Sequence, residues 1–170
     1  MELDFNQLKN RLPQEGALEW IGLRPGRREP VVPVEEARIT VEDGLIGDHY
    51  DSKGGNRQVT LIQAEHLKGV AGMLHRETVD PALTRRNLLI SGINLLALQN
   101  ARFRIGDSVI LETTGHCHPC SRMEENLGPG GYQAMRGHGG MTARVVQGGN
   151  IKLGDKVSLV EWLETVKSEE

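Results

Sequence analysis

Over the first sixteen residues Phe5, Leu8 and Leu12 recur at i, i+3 and i+7, a narrow apolar stripe that ends at Pro13 and Gly16. That spacing predicts a short surface helix. From Ala17 the pattern changes to short β-rich runs broken by Gly, Pro or Asp. Strands are expected at Leu18–Leu23, Ala37–Val41, Gln58–Gln63, Asn87–Ser91, Val109–Thr113, Ala143–Gln147 and Val157–Val160. Helical spacing is local, over Ala64–His75, Ser121–Leu127, Tyr132–Arg136 and Glu161–Lys167. The regular strand, helix, strand alternation of a parallel sheet is missing. The expected class is therefore mostly β, an antiparallel barrel or sandwich decorated by short helices. The chain divides into an N-terminal helical extension over 1–16, a β-domain over 17–160 and a helical tail over 161–170.

An apolar residue before Gly-Asp recurs at Ile46-Gly47-Asp48, Ile105-Gly106-Asp107 and Leu153-Gly154-Asp155. The last two lead straight into expected strands, and there Gly supplies an unusual φ while Asp bonds the following backbone. The first is followed by polar residues, so the loop from Gly47 to Gly55, with Asp48 and His49, is a candidate ligand-facing segment.

With 170 residues, 23 acids against 20 bases and six aromatic residues, the chain suits one folded domain and not a basic nucleic-acid-binding surface. No run of 18 apolar residues occurs, so no membrane partner is expected. The start, Met1-Glu2-Leu3-Asp4-Phe5, has neither a basic nor an apolar leader region, and a cytoplasmic location is expected. The two cysteines, Cys117 and Cys120, are too few and too close for a disulfide framework and read as chemistry.

The densest chemical segment is His116-Cys117-His118-Pro119-Cys120-Ser121-Arg122. Pro119 suits a helix start, which puts Cys120 at the N-terminus of the helix that follows, where partial positive charge favours thiolate. A redox pair in the thioredoxin manner needs the cysteines after an early strand of a βαβ unit, and a structural zinc site needs further paired ligands. A single-thiolate site with basic surroundings needs neither. Arg85-Arg86-Asn87 enters a buried run and forms a reader for a phosphate or a pterin edge. Arg24-Pro25-Gly26-Arg27-Arg28 is a second basic loop that suits a phosphate. Gly139 and Gly140, in Arg136-Gly137-His138-Gly139-Gly140, would let the backbone approach a flat ligand, with His138 as a proton donor. The segment is neither a P-loop nor a dinucleotide fingerprint.

Taken in order, Gly44-Leu45-Ile46-Gly47-Asp48-His49, Arg57-Gln58-Val59-Thr60-Leu61-Ile62, Thr84-Arg85-Arg86-Asn87-Leu88, Phe103-Arg104-Ile105-Gly106-Asp107, His118-Pro119-Cys120 and Gly139-Gly140-Met141-Thr142-Ala143-Arg144-Val145 resemble the MOSC domain family across residues 17 to 160. The resemblance implies a distorted, mostly antiparallel β-barrel and binding of the molybdenum cofactor (molybdopterin). It implies Cys120 as the molybdenum ligand, Arg24 at the cofactor phosphate, and Arg85 and Asn87 at the pterin. Asp48, Arg57, Arg86, His118, Gly139 and Gly140 complete the implied cofactor site, and His138 and His49 are candidate proton donors beside Cys120. It further implies reduction of small N-hydroxylated compounds resembling N-hydroxylaminopurine. With two cysteines the chain has no four-cysteine cluster of its own, so a separate flavin or iron–sulfur electron donor is expected. A homodimer is a candidate assembly. The alternative reading is a carrier of the cofactor, or of sulfur on Cys120, that delivers to a partner enzyme. A zinc-stabilised barrel is a third.

Overall fold

The computed structural model describes residues 2–50 and 53–163. In chain order the elements are α1 (Phe5–Lys9), β1 (Gly16–Leu23), β2 (Val32–Val34), β3 (Glu36–Thr40), β4 (Gly44–Leu45), β5 (Val59–Gln63), α2 (Ala64–Met73), β6 (Leu88–Ser91), β7 (Ala101–Ile105), β8 (Val109–His116), α3 (Ser121–Leu127), α4 (Gly131–Met135), β9 (Met141–Gln147), β10 (Gly149–Lys152) and β11 (Lys156–Trp162). Single 3₁₀ turns cover Pro81–Thr84 and Leu95–Leu98.

Seven strands close on themselves in the order β11-β7-β8-β9-β5-β6-β1, with β1 returning to β11 through Gly16 opposite Val157 and Ala17 opposite Lys156. β2 continues the sheet beyond β1, and β10-β3-β4 form a separate three-stranded sheet. The barrel is mixed, because β5 and β6 run parallel, joined by α2, while the other pairs are antiparallel. The mostly β barrel with short helices is as expected. All seven expected strands form, but Ala37–Val41 corresponds to β3 outside the barrel, and the seventh barrel strand is β7.

The barrel interior is apolar, filled by Leu18, Leu61, Leu88, Ile90, Phe103, Ile105, Leu111 and their neighbours. A second cluster lies outside β5, where Ile62 meets Leu67 and Val70 of α2, Met123 and Leu127 of α3, and Met135 of α4. β5 is therefore buried along its whole length, which suits Val59, Leu61 and Ile62, with Thr60 and Gln63 buried among them. The layer of helices over β5 fixes where α3 begins, and with it the position of Cys120.

Gly106 and Gly154 have positive φ as expected, but Asp155 accepts from the Lys152 N–H at 2.9 Å, on the backbone before it and not after it. The first helix is the short surface helix expected, capped by Asp4 and with no buried residue. At the other end β11 runs through Glu161 and Trp162 where a helix was expected, because Glu161 and Trp162 pair with Arg102 and Ala101. The rest of the expected tail, 164–170, lies outside the described residues, as do Asp51 and Ser52 of the 47–55 loop. Among the described residues no helix is long and apolar enough to cross a membrane.

Candidate functional site

β8 ends in the cysteine segment. Cys117 is buried and its N–H donates to the Gly140 carbonyl at 2.9 Å. His118 is exposed, and Cys120 is the exposed N-cap residue of α3. Among the described residues the one strand, helix, strand crossover with parallel strands is β5-α2-β6, so the cysteine pair does not sit where a redox pair of the thioredoxin type requires it. Among the described residues no group of three or more His, Cys, Asp or Glu can hold a bare metal ion, which leaves the zinc reading without a cage.

Cys120 opens on a cleft of about 200 Å³ lined by Arg24, Arg27, His49, Arg85, Arg86, Arg122 and Met123. Four segments bring these residues together. Arg24 follows β1; its Nε and Nη2 donate to the two Asp48 oxygens at 3.1 and 2.9 Å, and its N–H donates to Asp48 Oδ1 at 2.8 Å. The Asp48 side chain is fully buried by this pairing. Burial alone would raise its carboxyl, but the hydrogen bonds and charge of Arg24, with help from Asn87, hold it below the ordinary value. His49 reaches the cleft because its N–H donates to the Arg24 carbonyl at 2.7 Å.

Arg85 is a non-glycine residue at φ 57° that closes the 3₁₀ turn. Its guanidinium donates to the carbonyls of Glu29 at 2.7 Å, Gly26 at 3.1 Å and Arg27 at 3.3 Å, so it pins the basic loop. Arg86 is nearly enclosed. It donates from Nε to Gly139 at 2.8 Å, from Nη1 to Thr84 at 3.0 Å, and from Nη2 to Cys117 at 3.1 Å and His118 at 3.4 Å, all carbonyls. One arginine thus staples the glycine loop to the cysteine loop. Burial lowers the Arg86 guanidinium from its ordinary value, the neighbouring Cys117 and Cys120 oppose this, and Arg24 and Arg57 add to it. Arg57 is exposed and outside the cleft lining.

Asn87 has no exposed surface and does not face the cleft. Its Nδ2 donates to the Gly22 carbonyl at 3.0 Å and to Asp48 Oδ1 at 3.1 Å, while its Oδ1 accepts from the Thr60 N–H and hydroxyl, each at 3.1 Å. All four amide positions are filled inside the protein. It therefore supports Asp48 instead of reading a ligand. The glycine pair also differs from expectation. A Cβ on Gly139 would overlap the Cys117 carbonyl oxygen, and one on Gly140, at φ 86°, the Leu61 carbonyl oxygen. These glycines admit backbone against backbone, not against a ligand.

His138 is not among the cleft-lining side chains. Its ring meets that of His66 on α2 edge-on at 4.9 Å between centroids, with Nδ1 buried and without a hydrogen-bond partner. Burial and the neighbouring His138 lower His66. Of the expected site residues, the fold brings Cys120, Arg24, Arg85, Arg86 and His49 to one cleft, and puts Asp48, Asn87, Gly139 and Gly140 behind it as supports. Arg122 and Arg27 line it without having been singled out. The signal for Arg122 was its place two residues after Cys120, and for Arg27 its place in the basic loop.

The MOSC domain model matches residues 39–158. No curated protein matches this chain significantly. Among solved structures, the chain resembles the YuaD protein from Bacillus subtilis, with 16% identity over 88% of this chain and 98% of that one and a TM-score of 0.75. It also resembles YiiM from Geobacillus stearothermophilus, with 16% identity, 86% and 75% coverage and a TM-score of 0.69. For YiiM from Escherichia coli the values are 21%, 88%, 72% and 0.65. These likenesses extend the family match to the fold of nearly the whole chain.

Proposed function

The chain belongs to the MOSC domain family, and from that premise we propose that it is a molybdenum-cofactor enzyme that reduces small N-hydroxylated compounds, with Cys120 as the metal ligand. The family is associated with the molybdenum cofactor. The observation that carries the reading is an exposed thiol on a cleft with five arginines and, among the described residues, no lining carboxylate. The donor set fits that group. A bare ion has no three-ligand cage among the described residues, whereas a metal that arrives chelated by an organic ligand needs one soft protein donor.

When bound, the cofactor supplies two-electron chemistry at a metal centre able to accept oxygen. Everything else falls to the chain. Cys120 would ligate the metal through its thiolate, the one soft donor such a centre takes from the protein. Arg24, Arg85 and Arg86 would offset the negative charge of the cofactor phosphate, and the buried Asp48 keeps Arg24 oriented through two parallel bonds. His49 is the histidine that lines the cleft, so proton delivery to a leaving hydroxyl falls to it, and His138 is not needed there. Overall, an N–OH compound takes two electrons and two protons and yields the N–H compound and water. The electrons come from a separate flavin or iron–sulfur donor, since the sequence has two cysteines.

The exposure of Cys120 also suits a carrier that hands cofactor or sulfur to a partner, and turnover separates the two. The test is elemental and pterin analysis of protein from a host that makes the cofactor, wild type beside Cys120→Ala, followed by turnover of N-hydroxylaminopurine with a reduced donor. Near-stoichiometric molybdenum and pterin, lost in the variant, with consumption of substrate support the enzyme. Loaded protein without turnover points to carriage, and absence of both metal and pterin removes the cofactor reading.

A further inference from the structure

The cleft holds more positive charge than cofactor binding uses. Among the described residues, the acidic group paired with any of its five arginines is Asp48, on Arg24. Arg85 and Arg86 donate to main-chain carbonyls, which satisfy N–H groups but leave the charge uncompensated. The mutual repulsion is felt at Arg85, whose guanidinium is lowered by burial first and then by Arg122 and Arg24. The function proposed above assigns Arg24, Arg85 and Arg86. It leaves Arg27 and Arg122 without a role.

Arg122 lies two residues beyond Cys120, and its Nη1 donates to the Arg27 carbonyl at 2.6 Å. Arg85 donates to the same carbonyl at 3.3 Å. The Arg27 main chain thus ties the basic loop to α3, and Arg27 and Arg122 both line the cleft that Cys120 opens on. Apart from that one bond, neither guanidinium has a hydrogen-bond acceptor among the described residues. Paired guanidinium forks with free N–H groups match a phosphate monoester in both charge and shape.

We propose that Arg27 and Arg122 hold a phosphate on the substrate, so that the cleft takes N-hydroxylated nucleotides in preference to neutral bases. The inference rests on the reading of the Cys120 cleft as a reductive site. The phosphate takes no part in the chemistry: the N–O bond breaks, two electrons arrive from the external donor, two protons make the amine and water, and the phosphate ester is unchanged.

The test uses cofactor-loaded protein, with molybdenum and pterin measured on each sample. Adenosine 5′-monophosphate and adenosine, which carry no N–OH group, are titrated by calorimetry, and kcat/KM is compared for N-hydroxylated adenine and its nucleoside monophosphate. The monophosphate is expected to bind at least about ten-fold more tightly than the nucleoside, the scale of a charge-assisted hydrogen bond made by a fixed cation. Arg27→Gln and Arg122→Gln should each remove most of that gap, and Arg122→Lys should restore part of it, with metal and pterin content unchanged. Arg27→Gln is the cleaner variant, because it removes no hydrogen bond that holds the loop. Equal binding of the two probes, or variants that keep the gap, overturn the proposal alone. Variants that lose cofactor in step with affinity also overturn it, because they would make these arginines part of the cofactor seat. Wild-type protein without molybdenum or pterin overturns the proposed function and this inference with it.

Discussion

Asn87 acts as an internal strut whose removal strands several buried partners at once. Truncation would leave the Thr60 hydroxyl, the Gly22 carbonyl and one Asp48 oxygen each short of a partner in the interior. An unsatisfied buried group costs on the order of 1–3 kcal/mol, so Asn87→Ala is expected to lose about 2–4 kcal/mol of stability in urea denaturation. A loss well below ~1 kcal/mol would show that water replaces the amide. Its neighbour Asp48 gives a pH-dependent counterpart. The folded carboxyl is held below its ordinary value, so its contribution is present above that value and is lost as pH falls through the folded one. Arg24→Gln removes the strongest opposition to burial, and the carboxyl should move up. Wild type should therefore exceed Arg24→Gln in stability clearly near neutral pH, and the difference should shrink as pH falls through the lowered value of the folded wild-type carboxyl. A pH-independent difference would mean that Arg24 stabilises by packing and not through Asp48.

Which elements could be read from the pattern depended on how much of each was set locally. β5 and β6 announce themselves by their β-rich apolar positions, Val59, Leu61 and Ile62 in the one and Leu88, Leu89 and Ile90 in the other. The start of α3 was equally plain, since Pro119 and the polar turn before it leave few alternatives. β7 alternates Ala101, Phe103 and Ile105 inward with Arg102 and Arg104 between them, and two arginines in five residues hid it among loop signals. β8 runs past Thr113 into Gly115 and His116 only because Thr142 and Met141 pair with them across a bulge, a tertiary effect with no local sign. Glu161–Trp162 joined a strand for the same reason. The site divides along the same line. Cys120 and the arginines were legible from residue type and spacing, whereas the supporting roles of Asn87, Gly139 and Gly140 depend on contacts between distant segments. The glycine loop can be tested as an element. Gly139→Ala must push the Cys117 carbonyl away and disturb the Arg86 staple, so both stability and molybdenum retention should fall, stability by about 2–4 kcal/mol. Stability and metal content at wild-type levels would show that the two loops are not rigidly coupled.

At the scale of the whole molecule, the site is assembled from segments around residues 24, 48, 85 and 120 that only closure of the barrel brings together. The chain carries a formal charge of −3, yet among the described residues the cleft is lined by five arginines and no carboxylate. The two facts make opposite predictions for how salt affects anion binding. If the total charge governed association, the protein would repel an anion, and screening would strengthen binding. If the cleft governs it, screening must weaken binding, because the attraction between the arginines and an arriving anion fades as the Debye length shrinks from about 10 Å at 0.1 M to about 3 Å at 1 M ionic strength. Calorimetric titration with inorganic phosphate across that range of potassium chloride is expected to show affinity falling steadily. Arg86→Gln should lower the affinity across the whole range, since Arg86 is the most enclosed of these charges and so among the least screened. Affinity that rises with salt would mean that the arginines are neutralised by groups elsewhere on the molecule and that the cleft is not an anion site.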